Sequence, residues 1–554
     1  MMKSLWLILP LIGLTLGVPS PSCRCLSGET CWPKASDFSE LASQLSQPLL
    51  HPKPPGSACY PADNPSGNCS DVMESVHSGQ WRSDQPGSMQ APFLETFVFP
   101  NGTIDACYVN TTLGFPCRQG SIPVIGVDAQ SVRDVQTAIR FTSTHNLRLV
   151  IKNTGRINFS HDYLGRSTAR GSFVLWTHNL KNITYDPSFV PSGAPSGKSY
   201  QALTVGAGVQ WNEAYDAAKT HNRVIVGGAG LTVGAAGGWV MGGGHGVLAP
   251  RHGLGVDNVI EFEVVTADGT HLTVNAFKNT DLFWALRGGG GGTYAIVLLA
   301  TYATHDLVPL TVITGLANFT SSAVAKSVIT EFMKIHPSLA DDGWGSYAVL
   351  SKDMLQYIFA APNVTSIDAS SILDPFFTFM RNATGGQGVQ NDTTHYDSFY
   401  AWNIDVFGLN NGVGNDFEIG SRFIPRSLAE QDPEKVADIM LTFPNGVGIN
   451  FIAGGAVSKV DPDSTGLHPD WRKAIGLVNF SEGWVDGDPA SVIEAARKKI
   501  KEGLNILQGL GSSTYFNGLK VIKDKYDPTG LFLVAGGVGS EDWDDSLNCR
   551  RLVQ

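Results

Sequence analysis

Half of the twenty residues from Gly227 to Gly246 are glycine, and five more glycines stand in a row from Gly288 to Gly292. Glycine loses more backbone freedom on folding than any other residue, so runs this dense imply a main chain that approaches something closely or adopts positive φ. Backbone N–H groups in such loops form concave anion sites that hold a pyrophosphate without many lysines or arginines. The chemistry this points to is retention of a large anionic cofactor. A metal site is not expected. Cys23, Cys25 and Cys31 lack the usual zinc-ligand spacing and no histidine follows them closely. Of the histidines near the glycines, His245 could border a cofactor, but a packed histidine is the commoner outcome, and His178 reads as structural. Trp402, Phe407 and Phe423 are candidates to roof a pocket, although aromatics at such spacings more often serve a core.

Regular elements frame the glycines too tightly for a flexible linker. Pro123 to Val127 reads as a strand. Asp128 is placed to cap a helix with Val132, Val135, Ile139 and Thr142 on one face, and Leu147 to Ile151 as a second strand completes a βαβ unit. The pattern repeats with Ala202 to Val209, a helix over Trp211 to Thr220, and Val224 to Val226 leading into the glycines. Ile260, Phe262 and Val264 alternate toward the turn Asp268-Gly269, after which Leu272 and Val274 complete a hairpin. Asp281 is placed to cap a helix over Leu282 to Leu286, and a strand follows through Tyr294 to Ala300. Helical segments at Ala323 to Ile335 and Ala490 to Leu507, with a strand near Val447 to Ala453, indicate a separate α+β layer. The segments expected are 1–20 as a signal peptide, 21–117 as a Cys-rich lead-in, 118–305 as a cofactor domain, 306–510 as a substrate domain, and 511–554 packing back onto the cofactor domain.

The N-terminus has the form of an export signal, with Lys3 ahead of the nearly all-apolar Leu5 to Val18, a run too short to span a bilayer comfortably. Seven of the eight cysteines precede residue 120 and the eighth is Cys549. In an exported chain this bias indicates disulfides that staple the N-terminal segment, with pairing open. Sequons at Asn68, Asn101, Asn110, Asn158, Asn182, Asn318, Asn363, Asn382, Asn391 and Asn479 fit a glycosylated, secreted surface. A formal net charge of -11 over 554 residues argues against nucleic-acid or anionic-membrane partners, and leaves small-molecule chemistry.

Asn153-Thr154-Gly155, followed by His161-Asp162-Tyr163-Leu164-Gly165-Arg166-Ser167, resembles the flavin-attachment segment of the vanillyl-alcohol-oxidase superfamily, in its berberine bridge enzyme-like branch. Thr232-Val233-Gly234, Gly237-Gly238, Gly242-Gly243-Gly244-His245-Gly246, Asp257-Asn258-Val259 and Gly288 to Tyr294 follow in the family's order. Ile522 to Phe532 resembles its C-terminal segment, and Cys23-Arg24-Cys25 with Cys31-Trp32-Pro33 is similar to a fungal, secreted, isoamyl-alcohol-oxidase-like subgroup. Each motif alone is weak, whereas the ordered set spans nearly the whole chain and is specific.

The resemblance implies an α+β protein: a PCMH-type FAD domain of two α/β subdomains, and a second domain whose antiparallel sheet, covered by helices, roofs the isoalloxazine ring. FAD would oxidise a small substrate and pass its electrons to O2, giving H2O2. The residues implied at the cofactor are Asn153, Gly155, His161, Asp162, Gly165, Arg166 and Ser167 on the attachment segment. Gly230, Thr232, Val233, Gly234, Gly237, Gly238, Gly242, Gly243 and Gly244 belong to the glycine stretch, and Asp257, Asn258, Val259 and Asn517 complete the set. His161 is the implied covalent link, since a neutral imidazole nitrogen can add to the flavin methyl group. Tyr515, in Tyr515-Phe516-Asn517, is the candidate base or substrate-orienting phenol beside its alternative as a core tyrosine.

Three departures from the family matter. Arg156 to Ser160 intervene between Gly155 and His161, and five residues can span about 17 Å when extended. A bulge that keeps both flanks in register is the favoured reading, because the matches resume directly after it. Gly230 stands where some relatives carry a second, cysteinyl link, so a bicovalent flavin is not expected. About twenty residues common in the family are missing before Gly518, by comparison with the resemblance. The expected function is a secreted, monomeric FAD oxidase acting on an alcohol, amine or fungal secondary metabolite. A carbohydrate oxidase and a flavin-binding glycoprotein without turnover are the alternatives.

Overall fold

A computed structural model describes residues 23–154, 165–386, 388–408, 413–511 and 518–551. Gly155, His161, Asp162, Tyr515 and Asn517, the insert 156–160, Asn158 and the N-terminal export segment lie outside the described residues.

The first layer is a three-stranded parallel sheet. Strand β1 (Ile125–Asp128), helix α1 (Val132–Thr144) and strand β2 (Leu149–Lys152) form the expected crossover, but β3 (Phe173–Trp176) inserts between the two strands and pairs with both. Ser131, not Asp128, caps α1: its hydroxyl accepts the Asp134 N–H at 3.2 Å. Asp128 ends β1 and accepts hydrogen bonds from the Asn179 and Gln130 amides.

The second layer contains β4 (Ile183–Phe189), β5 (Tyr200–Gly206), helix α2 (Trp211–Thr220), β6 (Val259–Val265), β7 (His271–Asn275), helix α3 (Thr280–Leu286) and β8 (Ile296–Ala303). Its five strands run in the order β7-β6-β8-β5-β4, all antiparallel. The second βαβ unit read from the sequence is therefore corrected. β5 joins an antiparallel sheet, and Arg223–Val224, the stub of the expected closing strand, pairs with His305–Asp306 instead. A three-residue apolar run followed at once by glycines is too short to hold a crossover register. The cap of α3 is corrected too, since Asn279 occupies the N-cap position in the left-handed region (φ 50°) and Asp281 lies in the first turn.

The second module is one seven-stranded antiparallel sheet. It comprises β9 (Leu310–Asn318), helix α4 (Ser322–Asp341), β10 (Gly345–Leu350), β11 (Met354–Pro362), helix α5 (Ser366–Thr384), β12 (Val389–Tyr396), β13 (Asp416–Pro425), β14 (Val447–Phe451), β15 (Ala474–Trp484) and helix α6 (Ala490–Leu507), with strand order β12-β9-β11-β10-β14-β15-β13. Helices α4, α5 and α6 cover one face. Helix α4 buries Ala325, Val328, Ile329, Phe332, Met333 and His336 at helical spacing against Phe359, Phe376 and Phe451. Each fully buried large apolar side chain there contributes about 1.5–3 kcal/mol. The opposite face of β13, β14 and β15 is left to look at the first module.

Helix α7 (Leu519–Tyr526) and the segment after it return to the first module. Buried Lys523 donates to the carbonyls of Thr293 (2.6 Å) and Phe532 (2.7 Å) and pairs with Asp527 (2.6 Å). Asp527 in turn accepts the Leu531 and Phe532 N–H groups. Leu531 and Phe532 sit in the core of the parallel sheet with Phe173 and Ile139. Residues 23–124 are short helices and loops braced by the disulfides Cys25–Cys31, Cys59–Cys69 and Cys107–Cys117, while Cys549 bonds to Cys23 and ties the two ends together. Among the described residues no helix is long and apolar enough to cross a membrane.

Candidate active site

A cleft of about 750 Å3 runs between the glycine-rich layer and the open face of the seven-stranded sheet. That volume falls within the range of cofactor and substrate sites. A smaller cavity of about 240 Å3, near Tyr108, Asp416 and Arg497, lies on the other side of β13 and has no glycine wall.

The floor begins on β2. Strand alternation turns Ile151 and Asn153 toward the cleft and sends Lys152 the other way, where it is fully buried and donates to the Gln85 carbonyl. Burial with few compensating charges pushes the Lys152 ammonium down to about 7. Asn153 donates its amide N–H to the Ala207 carbonyl, whereas its Oδ1 is buried and has no partner among the described residues.

Beside it lie Val233, Gly234, Gly237, Gly238, Gly242 and Gly244, with Gly291 and Gly292 from the second glycine run. Three of these glycines are required by close approach, Gly244 among them because a Cβ there would stand 2.9 Å from the Gly255 Cα. A Cβ on Gly234 would stand 2.5 Å from the Asn153 amide nitrogen, and one on Gly291 would stand 2.8 Å from the Gly238 Cα. Gly238 has nothing within 4 Å of where its own Cβ would be, so its backbone borders open cleft.

Arg166 also lines the cleft, and its guanidinium donates to the carbonyls of Ala535 (3.1 Å), Gly291 (3.1 Å) and Gly536 (3.3 Å), stitching the five-glycine loop to the C-terminal segment. Ser167 lies next to it in the lining.

The roof comes from the sheet. Phe417, Ile419 and Ser421 of β13, Asn450 of β14, and Leu477, Asn479 and Ser481 of β15 all face the cleft. Their register is set by the pairs Ile419↔Ser481, Ser421↔Asn479 and Asn450↔Leu477. Trp471 closes one side, stacked on His245 with centroids 5.9 Å apart and edge-on to Phe423 at 5.1 Å. No carboxylate is among the described residues that line the cleft.

The structure thus brings together Asn153, Arg166, Ser167, Val233, Gly234, Gly237, Gly238, Gly242 and Gly244. It does not bring Gly165, Gly230, Thr232, Gly243, Asp257, Asn258 or Val259 to the cleft surface. Asp257 forms a bidentate pair with Arg472, 2.7 Å at both oxygens and almost fully buried, which locks the second module onto the first. Asn258 donates to the Leu254 carbonyl (2.8 Å) and meets His305 at 2.7 Å, and Val259 opens β6. Gly243 has φ of 117° and backs onto Leu467. His178 pairs with Asp84 at 3.0 Å and stacks on Trp176, a structural role, and Trp402 is buried in the core. His245, set aside in the sequence as a packing residue, borders the cleft. Trp239, Trp471, Asn450 and Asn479 were not singled out as site residues. The one signal for the roof was the alternation in 417–421 and 477–481.

A family profile described as an FAD binding domain matches residues 123–275, which hold the floor of this cleft apart from Gly291 and Gly292. The chain is 34% identical over 595 aligned residues to an FAD-linked oxidoreductase of Arthroderma benhamiae, covering 98% of each. It is 33% identical to the VAO-type flavoprotein oxidase VAO615 of Thermothelomyces thermophilus, again over 98% of each. This chain belongs to the VAO-type FAD-linked oxidoreductases.

The crystal structure of the VAO-type flavoprotein MtVAO615 from Myceliophthora thermophila C1 superposes with a TM-score of 0.84 at 29% identity, over 96% of this chain and 100% of that one. A berberine bridge enzyme-like protein of Physcomitrella patens shares the fold at a TM-score of 0.62 and 21% identity, over 75% of this chain and 91% of that one. The residues of the VAO-type cleft fit FAD by their own chemistry. The floor is bare backbone with room beside it, the Asn153 Oδ1, without a partner among the described residues, offers an acceptor, and the described lining has no carboxylate to repel a pyrophosphate.

Proposed function

We propose that this chain is a secreted FAD oxidase that removes a hydride from a small alcohol, amine or fungal secondary-metabolite intermediate. The observation that carries the reading is the pairing, in one cleft, of a glycine floor suited to a dinucleotide with a mixed polar and apolar roof suited to a small organic molecule. FAD, when bound, supplies the redox chemistry, accepting the hydride and delivering the electrons to O2 as H2O2. The protein's part is placement. Main-chain N–H groups of Gly237, Gly238, Gly244, Gly291 and Gly292 would hold the pyrophosphate, and Asn153 would orient the cofactor. Trp239, Trp471 and Phe417 keep water from the reacting atoms. The relative from Thermothelomyces thermophilus is named an oxidase, which supports O2 as acceptor.

His161 is assigned the covalent link, as a neutral imidazole nucleophile, and Tyr515 is the base or the phenol that orients the substrate. Secretion is supported by the apolar N-terminal segment and by the four disulfides. The described sequon asparagines are exposed, apart from Asn479. The segment boundaries 118–305, 306–510 and 511–554 are proposed for the FAD domain, the substrate domain and the returning tail of a monomer. The test is acid denaturation of the secreted protein followed by measurement of polypeptide-bound flavin fluorescence. The wild type is expected to retain flavin, and His161→Ala to release it while still binding it reversibly. Retention in that variant excludes His161 as the link. Release of H2O2 on an alcohol and amine panel tests the oxidase assignment.

A further inference from the structure

Asn450 is only 5% exposed, and what it exposes faces the cleft. Its side-chain amide makes no hydrogen bond to any described residue. Neither do the side chains of Asn479, Ser421 and Ser481 on the neighbouring strands. The Asn450 amide therefore opens onto the cleft, and its hydrogen-bonding partners are supplied from there. The other three are less buried than Asn450, and all four open onto the cleft. They form a patch on one sheet face, set by the register Ser421↔Asn479 and Asn450↔Leu477.

Gly448 makes room for this patch. It is the β14 partner of Asn479, and a Cβ there would come within 2.6 Å of the Asn479 Oδ1. Asn479 also heads the sequon Asn479-Phe480-Ser481, yet both Asn479 and Ser481 line the cleft, so the pattern reflects the chemistry of the roof and not an outer surface.

We propose that Asn450, with Asn479 and Ser421, reads the hydrogen-bonding head of an uncharged, largely apolar substrate, a hydroxyl or amide carried on a ring. The inference rests on the cleft being the substrate chamber of the flavoenzyme. An amide offers both a donor and an acceptor, which matches a hydroxyl or another amide. The patch is bordered by Phe417, Ile419 and Leu477, which supply the apolar contact. Among the described residues the roof carries no charged group, and on the floor the Arg166 guanidinium is engaged by three carbonyls. A carboxylate or ammonium brought to the roof would be buried without a counter-charge, at far greater cost than a hydroxyl.

The test is calorimetric titration of the full-length secreted protein with benzyl alcohol, benzylamine and benzoate, which put a neutral, a cationic and an anionic head on the same ring. Benzyl alcohol is expected to bind at least tenfold tighter than either charged probe. Asn450→Leu should weaken the alcohol at least tenfold, and the near-isosteric Asn450→Asp, whose folding a thermal melt verifies, should reverse the order of alcohol and amine. Gly448→Ala should weaken the alcohol by displacing the Asn479 amide. Equal binding of the three probes, no binding of benzyl alcohol, or an unchanged order in Asn450→Asp overturns the proposal. Binding heat does not require flavin, so a colourless protein overturns the cofactor reading and leaves this test decisive.

Discussion

Gly238 separates what the fold needs from what the cofactor needs. It borders the cleft with open space where a side chain would begin, so Gly238→Val should fold with a stability change within about 0.5 kcal/mol. Its flavin-to-protein absorbance ratio should nevertheless fall at least tenfold, because the new side chain stands where the dinucleotide backbone must pass. Gly246→Ala is the contrasting case. Its Cβ would lie 2.0 Å from the Gly227 carbonyl oxygen, so the loss should appear in the thermal melt of the chain itself. Undiminished flavin loading in Gly238→Val would remove the floor from the site. The floor was legible in the sequence because glycine is the one residue whose abundance directly reports close backbone approach. Asn450 was not legible, since an asparagine in a strand looks the same whether its amide is solvated, paired or waiting for a ligand. Asp257 was assigned to the cofactor by its motif, and only the position of Arg472, far away in sequence, reveals its partner.

That pair acts at the level of elements. The helical turn Gly255–Asn258 belongs to the first module and the turn Pro469–Arg472 to the second, and the Asp257–Arg472 bonds hold Trp471 against His245. Removing one partner of a buried ion pair strands the other charge, so Asp257→Ala should cost about 3–5 kcal/mol in urea unfolding. The double replacement Asp257→Leu with Arg472→Met should recover most of that loss, because an apolar pair of similar volume leaves no orphaned charge. Equal losses in the single and double variants would show that the site depends on the charge itself. The helices α2 and α6 were readable to the residue, since an amphipathic period of 3.6 sustained over ten or more positions has few competitors. The roof strands were not. β13 places Asp416, Glu418, Gly420 and Arg422 against Phe417, Ile419 and Ser421, and β15 carries Gly476 and Gly483, so neither face is apolar enough to stand out. Strand pairing also escaped local reading, as β3 entering between β1 and β2 demonstrates, because nothing in a strand's own sequence names its neighbours.

Across the whole molecule, buried histidines and one carboxyl pair set opposing pH dependences. His252 and His305 stack at 3.9 Å, and burial pushes them down to about 3 and about 4, each also opposed by nearby positive charge. His336, stacked on Phe451, is pushed down to about 3 by burial alone, against the Phe332 carbonyl that accepts its N–H. As pH falls below the ordinary histidine value of about 6.5, the unfolded chain takes up protons that the folded chain refuses, so stability is lost progressively down to about pH 3. Asp416 works the other way. Burial, and then the facing Asp486 carboxyl, raise it far above the usual carboxylate range, so the folded chain keeps a proton that the unfolded chain has released. Its stabilisation is present in acid and disappears as pH rises through the raised value. Three histidines outweigh this carboxyl pair on the acid side, where depressed carboxylates such as Asp341 add to the same slope. The melting temperature should therefore climb from pH 4 to about pH 6.5 and level off above it, where the Lys152 ammonium, pushed down to about 7 by burial, opposes the loss from Asp416. Asp416→Asn should remove a loss that runs from about pH 4 to about pH 8, so its acid limb should climb more steeply and its melting temperature should keep rising above pH 6.5. A pH profile that Asp416→Asn leaves identical to the wild type would mean that Asp416 and Asp486 do not share a proton in the folded chain.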